Sequence, residues 1–106
     1  MLKKTITYTD YDDVERTETF YFNISESELT EMQLSTEGGL AERLQKMVDA
    51  QDVPSVTKVF KDIILKAYGE KSADGKYFRK SEAISNAFLS TEAYNKLYME
   101  VIVHYH

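Results

Sequence analysis

Residues 53–69 read VPSVTKVFKDIILKAYG, and this stretch decides the fold. Its apolar residues fall at Val56, Val59, Phe60, Ile63, Ile64, Ala67 and Tyr68. That is the three-and-four spacing of one helix face. Lys58, Lys61, Asp62 and Lys66 lie on or near the other side. Asp52 is placed to cap the first turn, Pro54 is tolerated within it, and Gly69 is placed to close the end. A helix of roughly four turns with so wide an apolar stripe does not stand alone in water. The rest of the chain has to cover it.

Working back from this helix, residues 40–50 carry Leu40, Leu44, Met47 and Val48 on one stripe, with Gln51 and Asp52 as the hinge. Gly38 and Gly39 break the chain before them. Ser25 and Glu28 have capping-box spacing, which predicts a short helix over 26–35 with Leu29 and Met32 at helical spacing. Upstream the period changes to two. Over 2–9, Leu2, Ile6 and Tyr8 share a face with Lys4, and Thr5, Thr7 and Thr9 take the opposite one. Over 14–24, Val14, Phe20, Phe22 and Ile24 oppose Glu15, Thr17, Thr19 and Tyr21. Arg16 and Glu18 interrupt the apolar side, so that end is expected to protrude past the core. With a turn at 10–13, the two runs make an antiparallel hairpin, which needs helices against its apolar face.

Working forward, Asp74 and Gly75 form a turn dipeptide followed by Tyr77 and Phe78, consistent with a small hairpin or an ordered loop. Ser81 is placed to cap a helix to about residue 89, with Ile84, Ala87 and Phe88 inward. A last helix starts at Ser90 or Thr91 and repeats at Ala93, Tyr94, Leu97, Tyr98, Val101 and Ile102. Residues 101–106 fit either the end of that helix or a short strand. The expectation is a single α+β domain over 1–106: an N-terminal β-hairpin (1–24) packed on four to five helices (25–106).

The chain has 106 residues, no cysteine and a net charge of −5. It has no thiol for a disulfide or a thiolate metal site, and no apolar run of the roughly 18–20 residues that span a bilayer. Alternation rather than a leader core follows Lys3 and Lys4, so a soluble intracellular protein without a membrane role is expected. Residues 1–37 hold nine acids against three bases, whereas 38–106 are nearly balanced. An acidic N-terminal third repels phosphate backbones, so no nucleic-acid partner is expected there.

Catalytic parts are scarce. Asp10, Asp12, Asp13 and Glu15 crowd one turn, but the glycine and fixed spacing of a calcium loop are missing. The plain use of this turn is as a solvated hairpin tip, and its charge could also dock a basic partner. His104 and His106 would share a face on an extended chain, which makes at most a weak, open metal site. Both histidines lie at the very end, and Ser25 and Ser81 already read as helix caps, so no nucleophile–base pair assembles. No catalytic residue, metal site or cofactor is assigned. A small metal-dependent enzyme built on the acidic turn and the histidines is the least supported reading.

The runs FYFNISESEL, GGLAERLQ and KDIILKAYGEKSADGK, with STEAYNKLYME further on, resemble a family of small phage and prophage proteins. These are the tail assembly chaperones of long-tailed, siphovirus-type phages of Gram-positive hosts. The resemblance spans residues 14–100 and rests on extended similarity rather than a catalytic motif. It implies a non-enzymatic protein of the host cytoplasm that is not expected in the mature virion. Its partner would be the tape-measure protein, held soluble while tail-tube protein assembles around it. Members of the family continue beyond the YME segment with a further acidic helical stretch, where this chain reads VIVHYH. The alternative is a phage- or host-encoded regulatory module that binds a host protein or self-associates. A homo-oligomer formed through an edge strand is open to it, although Lys3 and Lys4 blunt that edge.

On either reading the interface is expected on the acidic N-terminal third and the uncovered parts of the apolar stripes. The candidate partner-binding residues are Asp10, Asp12 and Asp13 at the turn, and Met32, Met47 and Met99, since methionine suits adaptable protein surfaces.

Overall fold

The computed structural model describes residues 1–105. Strands β1 (Leu2–Thr9) and β2 (Glu15–Phe22) form the antiparallel hairpin, with Leu2 opposite Phe22 and Thr9 opposite Glu15. One face of the hairpin is wet. There Thr5 pairs with Thr19 and Thr7 with Thr17 through hydroxyl hydrogen bonds of 3.0 and 2.9 Å, a cross-strand ladder that holds register. The turn works without glycine. Asp13 takes the left-handed conformation (φ 61°), which a short polar side chain tolerates. The Asp10 carboxylate accepts from the backbone N–H groups of Asp12 and Val14 at 2.9 and 3.0 Å. The tip end of β2 is exposed, as Arg16 and Glu18 foretell.

Three helices follow: α1 (Glu26–Leu34), α2 (Leu40–Asp49) and α3 (Val53–Ala67). The capping box forms at α1. The Ser25 hydroxyl accepts from the Glu28 N–H, and the Glu28 carboxylate accepts from the Ser25 N–H. Asp52 caps α3 by accepting from the Ser55 N–H at 3.3 Å. Gly38 and Gly39 turn the chain between α1 and α2, both at positive φ, where a side chain is strained.

The long helix does not end as its sequence pattern suggests. It stops at Ala67, and Tyr68, expected on the helix face, opens strand β3 (Tyr68–Lys71). Gly69, expected to close the helix, is paired with Tyr21 inside the sheet. A Cβ at Gly69 would lie 2.6 Å from the Phe78 ring and 2.8 Å from the Arg79 carbonyl oxygen. Glycine is needed there for close approach rather than for a helix stop. Strand β4 (Phe78–Arg79) returns after the Asp74–Gly75 turn, so the hairpin branch of the two expected arrangements is the one that forms. The two-stranded hairpin is thereby extended to a four-stranded antiparallel sheet in the order β1-β2-β3-β4.

Helices α4 (Glu82–Leu89) and α5 (Glu92–Tyr105) complete the chain. Ser81 caps α4 as expected, accepting from the Ile84 N–H. Ala87, expected inward, is exposed, because the inward face of this short helix runs through Ile84, Ser85, Phe88 and Leu89. The end of α5 is helical through residue 105, and His106 lies outside the described residues.

The core sits where the dry face of the sheet meets α3, α4 and α5. Its centre is aromatic. Phe88 is 2 % exposed, stacks on Tyr68 at 4.1 Å between centroids, and meets Phe20 at 5.2 Å and Tyr94 edge-on at 5.8 Å. Full burial of one such ring contributes roughly 1.5–3 kcal/mol. Ile6, Phe22, Ala67 and Ala93 complete the buried cluster.

Candidate partner-binding surface

The apolar stripe of α3 is wider than the core that receives it. Val56 and Ala67 are buried, but Val59, Ile63 and Ile64 are only partly covered. They floor two open clefts. The first lies between α2 and α3, where Leu40, Leu44 and Met47 face Val59 and Ile63, with Met32 of α1 at one end; its volume is about 340 Å³. The second lies between the start of β1, the later half of α3 and the end of α5. It is lined by Leu2, Phe22, Ile64, Leu97 and Val101, and holds about 510 Å³. Ile63 lines both.

The two clefts differ in charge. In the first, Arg43 stands on the α2 wall and Lys58 and Lys66 on the α3 wall, against Asp62. Asp62 is already paired with Lys58 at 3.3 Å. At the second, Lys4 and Glu100 form a 2.9 Å ion pair, and the lining is otherwise apolar.

The residues expected to bind a partner are dispersed. Met32 and Met47 converge on the α2–α3 cleft. Met99 does not join them. It is exposed on α5, beside Thr7, Tyr8 and Lys96, in a separate shallow hollow against β1. Asp12 and Asp13 are exposed at the hairpin tip. Asp10 is committed to its own turn. Besides its two backbone donors it accepts from Arg16 Nε, and this guanidinium, followed by the Val14 N–H, holds the carboxyl below its ordinary value. Among the described residues no three acidic or histidine side chains converge as a cation site requires. The His104–His106 pair reaches outside the described residues.

One contact escapes sequence reasoning. Lys80, just before α4, reaches back to Glu28 at 2.8 Å and to the Asn23 carbonyl oxygen. Its ammonium is the main reason the Glu28 carboxyl sits below its ordinary value, with burial opposing and the Ser25 hydrogen bonds assisting. The capping-box glutamate thus also ties α1 to the sheet. Spacing within α1 signals the cap but carries nothing about a lysine so far along the chain.

Fold and clefts together define an α+β domain whose uncovered apolar surface flanks a single helix. A family model described as phage tail assembly chaperone matches residues 1–105. The chain therefore belongs to the phage tail assembly chaperone family. The match takes in β1 and the VIVHY segment, beyond the 14–100 span of the resemblance. No curated protein and no solved structure matches the chain. No helix among the described residues is long and apolar enough to cross a membrane.

Proposed function

We propose that this chaperone binds the tape-measure protein of a phage tail and keeps it soluble in the host cytoplasm while the tail-tube protein assembles around it. The action is binding without catalysis. A long helical client exposes apolar stripes until the tube encloses it, and those stripes are what such a chaperone has to cover. The observation that carries this reading is the pair of open apolar clefts on the flanks of α3. Grooves of this kind receive amphipathic helices through side chains spaced three and four apart. Each cleft is open and carries charged residues beside its apolar lining, which suits contacts that the tube can displace. Several copies along one client would raise the effective concentration without tight single sites.

The test is co-expression with the tape-measure protein, affinity capture and sizing by light scattering. A soluble client eluting with several copies of the chaperone is the expected result. A client that precipitates while this protein stays folded and alone overturns the proposal. Ile63→Asp, which places a charge on the floor of both clefts, is expected to abolish co-elution. Charge reversal of Asp12 and Asp13 measures separately what the hairpin tip adds.

A further inference from the structure

We infer that the α2–α3 cleft takes an amphipathic helical segment with acidic residues beside its apolar stripe. This rests on the chaperone reading and names the chemistry of the client segment. The floor is apolar and includes Met32 and Met47, whose unbranched side chains adapt to differing anchors. The walls are basic: Arg43 on one side, Lys58 and Lys66 on the other. Asp62 is the acid among the lining residues, and Lys58 already answers it. Neither Arg43 nor Lys66 has an ion-pair partner among the described residues.

The cleft is therefore positive within a chain whose acids outnumber its bases by eighteen to thirteen. The 510 Å³ groove supplies the contrast, because there Lys4 and Glu100 neutralise each other. A helix lying in the α2–α3 cleft presents its flanks to both walls. Acids on those flanks meet Arg43 and Lys66, whereas lysines meet like charge. Beyond the Debye length, about 10 Å at 0.1 M salt, the net charge of −5 is largely screened from an acidic client, and the nearest charges decide. Selection for acids thus arises only at contact, and exchanging charges tests it more cleanly than varying salt.

Three labelled helical peptides sharing one apolar stripe, with glutamate, glutamine or lysine on the flanks, are titrated against the full chain by fluorescence anisotropy. The same titrations are run on the Arg43→Glu, Lys66→Glu double variant, with thermal melts to establish that it folds. Two exposed ion pairs, each worth a factor of about three, predict that the glutamate peptide binds about tenfold tighter than the glutamine one. The lysine peptide is expected to bind weakest. In the double variant the order inverts. Should that variant fail to fold, Arg43→Gln with Lys66→Gln is expected to level the three affinities.

Equal affinities for the three peptides, or a preference for lysine, overturn the inference. So does an order that the wall substitutions leave unchanged. A chain that self-associates until Arg43 and Lys66 are reversed, and that ignores the glutamate peptide, assigns the cleft to a second copy and also overturns it. Co-expression separates this inference from the reading beneath it. A client kept soluble without any peptide preference sinks the charge rule alone. Peptides sorted by charge while the client precipitates sink the chaperone reading and leave the cleft's selectivity standing.

Discussion

The sheet with α4 and α5 and the arm formed by α1 and α2 are built to different standards. The first, with Ala67 from the end of α3, holds seven of the eight buried apolar residues among those described, in one aromatic-centred cluster. The second holds none: neither helix of the arm has a buried residue, and Leu29, Leu34 and Val48 are exposed. The arm rests on half-buried contacts between α2 and α3, and on the Lys80–Glu28 tether. Local opening free energy follows buried contact. The arm is therefore the part that opens readily, and it forms one wall of the α2–α3 cleft. The α2–α3 cleft therefore has one adaptable wall, whereas the second cleft is framed by the stable half through Leu2, Phe22, Leu97 and Val101.

The largest expected effect breaks the strong half. Phe88→Ala removes the ring at the centre of the cluster and is expected to cost about 3–5 kcal/mol. Denaturant melts should show the whole fold weakened, with amide protection falling in sheet and arm together. Gly69→Ala comes next. Its Cβ would have to displace the Phe78 ring and the Arg79 carbonyl, an overpacking cost of about 1–3 kcal/mol. Its signature is loss of protection in β3 and β4. Were it neutral, the close approach that explains Gly69 would be wrong.

Glu28→Gln strikes the weak half. It removes the charged partner of Lys80 and weakens the capping box, for about 1–2 kcal/mol after discounting for exposure. Hydrogen exchange should quicken in α1 and α2 and hardly change in the sheet. Equal quickening in both would erase the distinction between the two regions. The pH dependence has a definite sign. The folded Glu28 carboxyl lies below its ordinary value, so its contribution is complete above the unfolded pKa, about 4.3. It is lost as pH falls through the lower folded value. Wild type and Glu28→Gln are expected to differ at pH 7 and to converge only as pH falls through the lowered folded value of Glu28.

The same division governs how much was legible in the sequence. Features set by neighbours in the chain are plain there: the hairpin from alternation, the α1 cap from Ser25 and Glu28, and the span of α3 from its three-and-four repeat. Strand β3 is not. Tyr68 and Gly69 continue the helical pattern and carry a helix-stop signal, and only pairing with Phe22 and Tyr21 makes them strand. A short strand defined by a partner so distant leaves no local period to read. The candidate surface was half legible. Methionine marks Met32 and Met47 as adaptable, but their meeting depends on the turn at Gly38 and Gly39. Lys58 and Lys66 look like an ordinary solvated face until α2 is in place and Arg43 stands opposite them.

The β2–β3 junction has a consequence for the chain as a polymer. Phe22 pairs with Tyr68, and just inside that pair the Asn23 N–H donates to the Ala67 carbonyl oxygen at 2.8 Å. Residues 23–67 are thus a closed loop with a pinned neck, and α1, α2 and α3 are its contour. The entropy of closing a loop rises only logarithmically, about 0.6 kcal/mol for each doubling of length. Lengthening the arm, or shortening it, therefore hardly taxes the sheet that closes it. Arm length is a nearly free variable, available to be matched to whatever lies against α3.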